Sequence, residues 1–333
     1  MIQVKTITLL RSLLVLGSFL SLTGVPAQTA QDTAAMVEQI FARYQPQNPG
    51  AQVTVSRNGK VIFSKAWGMA DLEHDTRLSI SSISEAGSVS KEFTAAAILL
   101  IEQQGKLSLN DDIRKYLPEI PDYGSIIRIR HLMHHTSGIK DWGYVADIGG
   151  WPRGTKTYRN EDALEIIARQ KTLNNKPGDE YIYSNSGFNL LAMIVQKVSG
   201  MSLAAFSQQY IFVPAGMKHS QWRDNFKTIV PGRAMAYEKV ATGYQTDMPN
   251  EYVYGQGGLL TTSEDLCKWV DYFTAAKIGG PALLKKQLAL DTFNSGNLHY
   301  YAAGLRIQKR KGYNVIRHDG ATASYRASLE YFP

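Results

Sequence analysis

Ser88 and Lys91 stand three residues apart at the head of a long apolar run, Ser88-Val89-Ser90-Lys91-Glu92-Phe93-Thr94-Ala95-Ala96-Ala97-Ile98-Leu99-Leu100-Ile101. On a helix that spacing puts a hydroxyl and an amine on one face. The N-terminus of a helix adds unpaired backbone N–H groups and the positive end of its dipole. An amine one turn from a hydroxyl in such a field can take its proton and leave an alkoxide nucleophile. The plainer alternative is an N-cap serine followed by a solvated first-turn lysine, and this stretch alone leaves both open.

Two further places carry polar groups in a telling context. Tyr183-Ser184-Asn185 lies between the chain-breaking Pro177-Gly178 and a second apolar run, and His318-Asp319-Gly320 follows an alternating stretch. Single matches are common at ordinary composition. S-x-x-K recurs at Ser137–Lys140, Y-x-N recurs at Tyr158–Asn160, and a basic residue-x-Gly recurs at Lys176 and Lys277. Ser137 is rejected as a nucleophile because Gly138 follows it and no apolar helix does. His131, His134 and His135 include an i, i+4 pair that could bind zinc on a helix, but the Glu of H-E-x-x-H is missing. Structural histidines beside a turn are the expectation.

The elements that must position these groups follow from periodicity. Alanine and leucine fill the run after Ser88, its apolar residues cover most of the circumference, and Gly105 stops it, so it reads as a helix buried on nearly all sides. Gly187–Val198, closed by Gly200, reads as another. Asp32 caps a helix carrying Met36, Ile40, Phe41 and Tyr44 on one face. Ala51–Ser56 and Val61–Trp67 flank Asn58-Gly59, a tight-turn signal, and so form a hairpin. Helices are also expected over 162–170, 202–211 and 263–275, the last capped by Thr262 or Ser263. Tyr301–Gln308, Tyr313–Arg317 and Tyr325–Tyr331 alternate as strands. Residues 141–160 hold Trp142, Tyr144, Trp151 and Tyr158 among Gly and Pro, which suits an irregular loop whose aromatics either wall a cleft or pack locally. Tyr244, Tyr252 and Tyr254 present the same choice.

Strands, then helices, then strands imply an α+β fold: an antiparallel sheet built from both chain ends and flanked by helices, plus a mostly helical lobe. The sheet lobe takes residues 28–80 and 284–333, and the helical lobe takes 81–283. Residues 1–27 differ from the rest. Lys5 and Arg11 precede the apolar run 12–22, and Val25-Pro26-Ala27 offers a cleavage point, the three parts of a secretory signal peptide. The run is too short for a membrane span, and the lack of a cysteine near the cut implies no lipid anchor. A mature chain from Gln28 would be periplasmic or secreted.

Removing Lys5 and Arg11 from a formal charge of +7 leaves +5, scattered and without a nucleic-acid motif. With 44% hydrophobic and 20% charged residues the composition is that of a globular protein. The single cysteine, Cys267, can form no internal disulfide and falls in an apolar-periodic stretch, as a small buried residue would.

In this order and context the three motifs resemble those of the serine β-lactamase and penicillin-binding superfamily, in particular its class C β-lactamase, DD-peptidase and esterase branch. The resemblance covers most of the mature chain. Gly87–Ala95 looks like the nucleophile motif, Ile129–Gly138 like a structural turn, Pro177–Gly187 like the second motif, and Gly257–Leu266 like a further shared stretch. Against the S-x-x-K, S-D-N and K-T-G set, Tyr183 stands in place of the first Ser of S-D-N and His318-Asp319-Gly320 in place of K-T-G. The His form is more similar to DD-peptidase, D-amino-acid amidase and esterase relatives than to dedicated β-lactamases.

The resemblance implies Ser88 as an acylated nucleophile. Lys91 and Tyr183 would share the base role, each lowering the effective pKa of the other in a buried site. The N–H groups of Ser88 and Ala321 would form an oxyanion hole. Asn185 would orient the substrate amide or Lys91, and His318 with Gly320 would place a substrate carboxylate or the Tyr183 hydroxyl. No metal or other cofactor is implied. The expected activity is that of an exported serine hydrolase cleaving amide or ester bonds in a small molecule or peptide, whether a β-lactam, a D-amino-acid peptide or an ester. An esterase or D-amino-acid peptidase is the alternative, and a catalytically weak penicillin-binding or scaffold homologue is the other. In that superfamily a further strand and a C-terminal helix follow the strand that here ends at Pro333. The strand lies mid-sheet beside the N-terminal hairpin, so the resemblance implies a chain truncated from a longer protein.

Overall fold

The computed structural model of the chain describes residues 30–152, 155–225 and 227–333, so the expected leader, residues 1–27, lies outside the described residues. Two compact units are present, one ending at Gln39 and one spanning Ile40–Pro333. A helix runs over Ala30–Phe41, placing Asp32 inside its first turn instead of ahead of it. All that follows concerns the second unit.

Both chain ends make antiparallel structure. Ala51–Arg57 pairs with Lys60–Trp67 through Asn58-Gly59, both at positive φ (53° and 74°), the pair of left-handed residues that a tight hairpin turn requires. The hairpin lies on the helix Ser263–Thr274. Thr54 Oγ1 meets Ser263 Oγ at 2.8 Å, and Ser64 Oγ donates to Glu264 Oε1 at 2.9 Å. At the other end Arg306–Arg310, Tyr313–Thr322 and Tyr325–Tyr331 form a three-stranded meander. The mixed α+β class is as the periodicity implies, with the antiparallel content divided: among the described strands, the hairpin and the meander are separate sheets.

The helix Ser90–Gln103 is the centre of the molecule, entered through a 3₁₀ turn at Gly87–Val89. Ser90 to Ala97 are all buried, polar residues included, as are Ile98, Leu99 and Ile101. The helix Asn185–Ser199 packs along it with Phe188, Leu190, Leu191, Ile194 and Val195. Phe93 meets Trp269 at 4.5 Å between centroids and Phe212 at 5.9 Å. Each such side chain contributes about 1.5–3 kcal/mol by leaving water, which is enough to fix the helix against three neighbours. Gly105 takes φ +71° and Gly200 takes φ +74°, ending the two helices as expected.

Three local expectations change. Residues 141–160 are not wholly irregular: Trp142–Ile148 is a helix capped by Asp141, whose carboxylate accepts from Gly143 N at 2.9 Å. Its aromatics divide, with Trp142 and Tyr158 in the core and Tyr144 and Trp151 exposed. Tyr301–Leu305 is not strand. A Cβ on Gly304 would lie 2.7 Å from Lys91 O, so this segment is pressed against the start of the central helix, and apart from an isolated bridge between Tyr301 and Arg306 the ladder begins at Arg306. The strand expected to end at Arg317 continues to Thr322, so His318 and Gly320 lie within it.

Candidate active site

The approach of the meander to the 3₁₀ turn decides the site. A Cβ on Gly320 would stand 1.9 Å from Ala86 O and 3.1 Å from Ser88 N, and one on Gly87 would stand 2.7 Å from Ala321 N. Only two glycines let these backbones touch. Ser88 thereby opens onto the strand edge, and its backbone shares a narrow gap with that of Ala321.

Ser88 Oγ is held from two sides. Lys91 Nζ donates to it at 2.9 Å, and the Tyr183 hydroxyl donates to it at 2.9 Å. Lys91 Nζ also meets Asn185 Oδ1 at 2.9 Å and the Gln256 carbonyl at 2.7 Å. The structure therefore gathers Ser88, Lys91, Tyr183 and Asn185 into one hydrogen-bonded cluster, with His318, Gly320 and Ala321 on the facing wall of a cavity of about 450 Å³. The lysine is fully buried, so the solvated first-turn alternative is removed. Of the two partners expected for Asn185, the substrate amide and Lys91, the structure shows the contact with Lys91.

Each of these groups is seated by neighbours that the motifs do not include. Gln256 belongs to the Gly-rich turn before Leu259, tied to the central helix by Thr94 Oγ1 to Gly255 O at 2.8 Å and by Leu259 N to Ser90 Oγ at 3.1 Å. Asn185 N donates to Asp141 Oδ2 at 2.6 Å, so one aspartate caps its own helix and anchors the second motif. His135, at φ +57°, accepts from Ser184 N at 3.2 Å and lays its ring 4.2 Å from that of Tyr183. The histidine cluster is structural: His131 Nδ1 accepts from Arg128 N, and His134 Nδ1 meets Tyr301 O at 3.0 Å. Among the described residues the grouping with metal-ligand geometry is Asp71, Glu73 and His74, which lies on another turn and has an exposed histidine.

Burial sets the electrostatics. It pushes the Tyr183 phenol well above its ordinary value, against the smaller effect of the bond to Ser88. The mutual lowering of Lys91 and Tyr183 is thus not what the tyrosine experiences, and a neutral phenol is the resting form. Burial first, then the Lys91 charge, lowers His318 to about 3, so this imidazole is neutral at working pH. His135 is lowered well below its ordinary value by the same two causes.

Arg306 and Arg326 also line the cavity, and the reading of motifs missed both. The signal was available in part, since Arg326 alternates with Ala327 on a strand two residues past the turn that follows Gly320. Tyr301, whose hydroxyl meets His318 Nε2 at 2.8 Å, was missed because its segment reads as strand.

Comparison with known proteins places this geometry. The family model described as Beta-lactamase matches residues 32–333. A D-aminopeptidase of Brucella anthropi is 29% identical over 307 residues, covering 89% of this chain and 56% of that protein, so the chain spans about half the length of the curated relatives it matches. The octameric penicillin-binding protein homologue from Pyrococcus abyssi superposes with a TM-score of 0.73 at 26% identity, over 90% of this chain and 70% of that one. A D-stereospecific amidohydrolase from Streptomyces shares the fold, with a TM-score of 0.73 at 19% identity over 92% and 91% of the two chains. With the family model spanning nearly the whole described chain, the protein belongs to the β-lactamase family of serine hydrolases, within the serine β-lactamase and penicillin-binding superfamily.

Proposed function

We propose that this protein hydrolyses amide bonds in short D-amino-acid peptides through an acyl-enzyme on Ser88. The observation that carries the reading is Ser88 Oγ held between Lys91 Nζ and the Tyr183 hydroxyl, each at 2.9 Å. With Lys91 as the neutral amine, Oγ bonds to the substrate carbonyl carbon and its proton passes to Nζ. The carbonyl oxygen, now anionic, takes hydrogen bonds from the Ser88 and Ala321 N–H groups. As the C–N bond breaks, Tyr183 gives its proton to the leaving nitrogen, and the Lys91 ammonium returns one to the phenolate. Water repeats the sequence on the ester and frees Ser88.

The D-amino-acid preference is supported by the name of the Brucella anthropi relative. The end of the peptide is supported by charge. Arg306 and Arg326 at the cavity repel an α-ammonium and attract a carboxylate, and Asp319 in the same wall is already engaged by Arg317 and Ser328. The substrate therefore presents its carboxyl end here. Export is part of the proposal, resting on the three-part leader in residues 1–27; cell fractionation checks it.

The test is intact mass after exposure to a penicillin, together with release of D-alanine from a peptide ending in D-Ala-D-Ala and of D-alaninamide from its C-terminal amide. We expect a covalent adduct that Ser88→Ala abolishes, and at least tenfold faster cleavage of the free acid than of the amide or of the L-isomer. Full hydrolysis by Ser88→Ala would refute the mechanism. Faster cleavage of the amide would refute the assigned end, and turnover of a p-nitrophenyl ester alone would make the protein an esterase.

A further inference from the structure

A second cavity, of about 90 Å³, lies behind the short strand Gln221–Trp222, apart from the one that holds Ser88. Its lining mixes apolar residues such as Val230 and Leu260 with polar side chains. Trp222 and Arg223 are buried, Arg233 is half-buried, and Asn225 and Thr228 stand at the mouth, where they are exposed. Two of these donors are buried without a hydrogen-bond partner, the Trp222 indole Nε1 and Arg233 Nε. A buried donor left without an acceptor costs about 1–3 kcal/mol, and more where the group is charged.

The charges near this wall are unevenly paired. Two carboxylates, Glu85 and Glu251, both face Arg223. Glu85 Oε2 accepts from Arg223 Nε at 2.8 Å, and Glu251 Oε1 lies 3.9 Å from Arg223 NH2. Arg233 forms no ion pair with a carboxylate among the described residues. Its guanidinium lies instead against the Tyr325 hydroxyl, a neutral group. A guanidinium without a carboxylate partner and a buried indole N–H without an acceptor, beside a space of a few heavy atoms, suit a small anion, which accepts from both and makes a charge-assisted bond with Arg233.

We propose that this cavity binds a small oxyanion, a carboxylate or a phosphate, with Arg233 and Trp222 as its principal donors. The site is independent of the hydrolytic reading. It also lies close to the machinery: Arg223 N donates to Gly258 O at 2.7 Å, and the carbonyl of Gln256 in the same turn receives Lys91.

The experiment titrates inorganic phosphate and, separately, acetate into the full chain carrying Arg306→Gln and Arg326→Gln, which removes the guanidinium groups of the active-site cavity. Binding heat and melting temperature are followed. Saturable binding of at least one anion is expected, weakened at least tenfold when Arg233→Gln is added. Trp222→Phe keeps the buried ring and deletes only the N–H, so a several-fold loss there carries the proposal even if the Arg233 variant folds poorly. An anion response present in the unmodified chain and absent from the Arg306/Arg326 variant would place the ion at the active site and overturn the proposal. No saturable response to either anion would overturn it as well, leaving a cavity that holds water.

Discussion

Tyr301 reaches His318 across the floor of the active site, its hydroxyl 2.8 Å from Nε2, while Nδ1 of the same ring lies 2.6 Å from the backbone carbonyl of Asp319. A carbonyl oxygen can only accept, so the imidazole proton sits on Nδ1 and Nε2 receives the tyrosine O–H. Both ring nitrogens are thus engaged inside the protein. Burial, reinforced by the Lys91 charge, holds the pKa at about 3, so the ring is neutral whenever the enzyme is folded at ordinary pH. The imidazole therefore brings no charge to the cavity, whereas Arg306 and Arg326 line the same cavity with guanidinium groups.

Tyr301→Phe follows directly. It removes the O–H from Nε2, leaves a buried acceptor unpaired and frees the ring to change tautomer. A stability loss of about 1–3 kcal/mol is expected, together with a fall in kcat and little change in KM, because His318 shapes the wall without holding substrate charge. Kinetics together with the histidine signals in a nitrogen-15 spectrum decide it. An unchanged tautomer and unchanged kcat would show that Tyr301 only fills space.

Gly320→Ala tests the close approach. The added Cβ would lie 1.9 Å from Ala86 O, so the strand must move away from the 3₁₀ turn and carry the Ala321 N–H with it. Losing one oxyanion donor typically costs on the order of 10²–10³ in kcat. Sulfonylation of Ser88 by a small sulfonyl fluoride, with loss of fluoride, needs the nucleophile more than the hole and is expected to survive better than peptide hydrolysis. Equal loss of both would point to collapse of the Ser88 cluster itself.

The buried histidines set an acid limit. His131 is lowered to about 4 and His318 to about 3, in both cases mainly by burial. A group whose folded pKa is depressed binds fewer protons folded than unfolded, so its share of stability is present above pH about 6.5 and drains away as pH falls toward the folded values. Melting temperature is expected to drop steadily between pH 6.5 and 4. His131→Asn should flatten that slope, and a slope that Asn leaves untouched would assign it to the carboxylates.

The parts of this molecule that could be read in its sequence are those where one local rule decides. Ala and Leu around the circumference specified a helix with no solvent face, and the structure buries even its lysine. Asn58-Gly59 specified a hairpin because few other residues take two successive positive φ angles. That Ser88, Lys91, Tyr183 and Asn185 would share a site came from the family resemblance of the motifs in their order, and the structure brings the four together. What stayed hidden depends on contacts between distant segments. Tyr301 alternates like a strand, yet Gly304 presses its segment onto Lys91 O and ends the pairing. Asp141 looks like a loop residue until Asn185 N is found on its carboxylate. Gln256 contributes only a carbonyl, and no side-chain type announces that.

Glu92 supplies the last prediction, opposite in sign to the histidines. It follows Lys91 on the central helix, is wholly buried, and accepts one hydrogen bond on Oε2, from Trp269 Nε1 at 2.6 Å, while Oε1 has no partner. Burial raises its pKa from 4.5 to about 8, outweighing the lowering effect of the indole. The folded protein therefore keeps a proton that the unfolded chain releases above pH about 4.5. The stability tied to that proton is intact below this pH and is lost as pH rises through 8. The loss is on the order of a few kcal/mol at alkaline pH. Glu92→Gln keeps the oxygen that faces Trp269 and has no proton to lose. Its melting temperature is expected to match the parent near pH 5 and to exceed it by several degrees at pH 9, with the crossover following the carboxyl titration. Parallel curves for the two proteins from pH 5 to 9 would mean that Glu92 is ionised in the fold and balanced by a charge nearby.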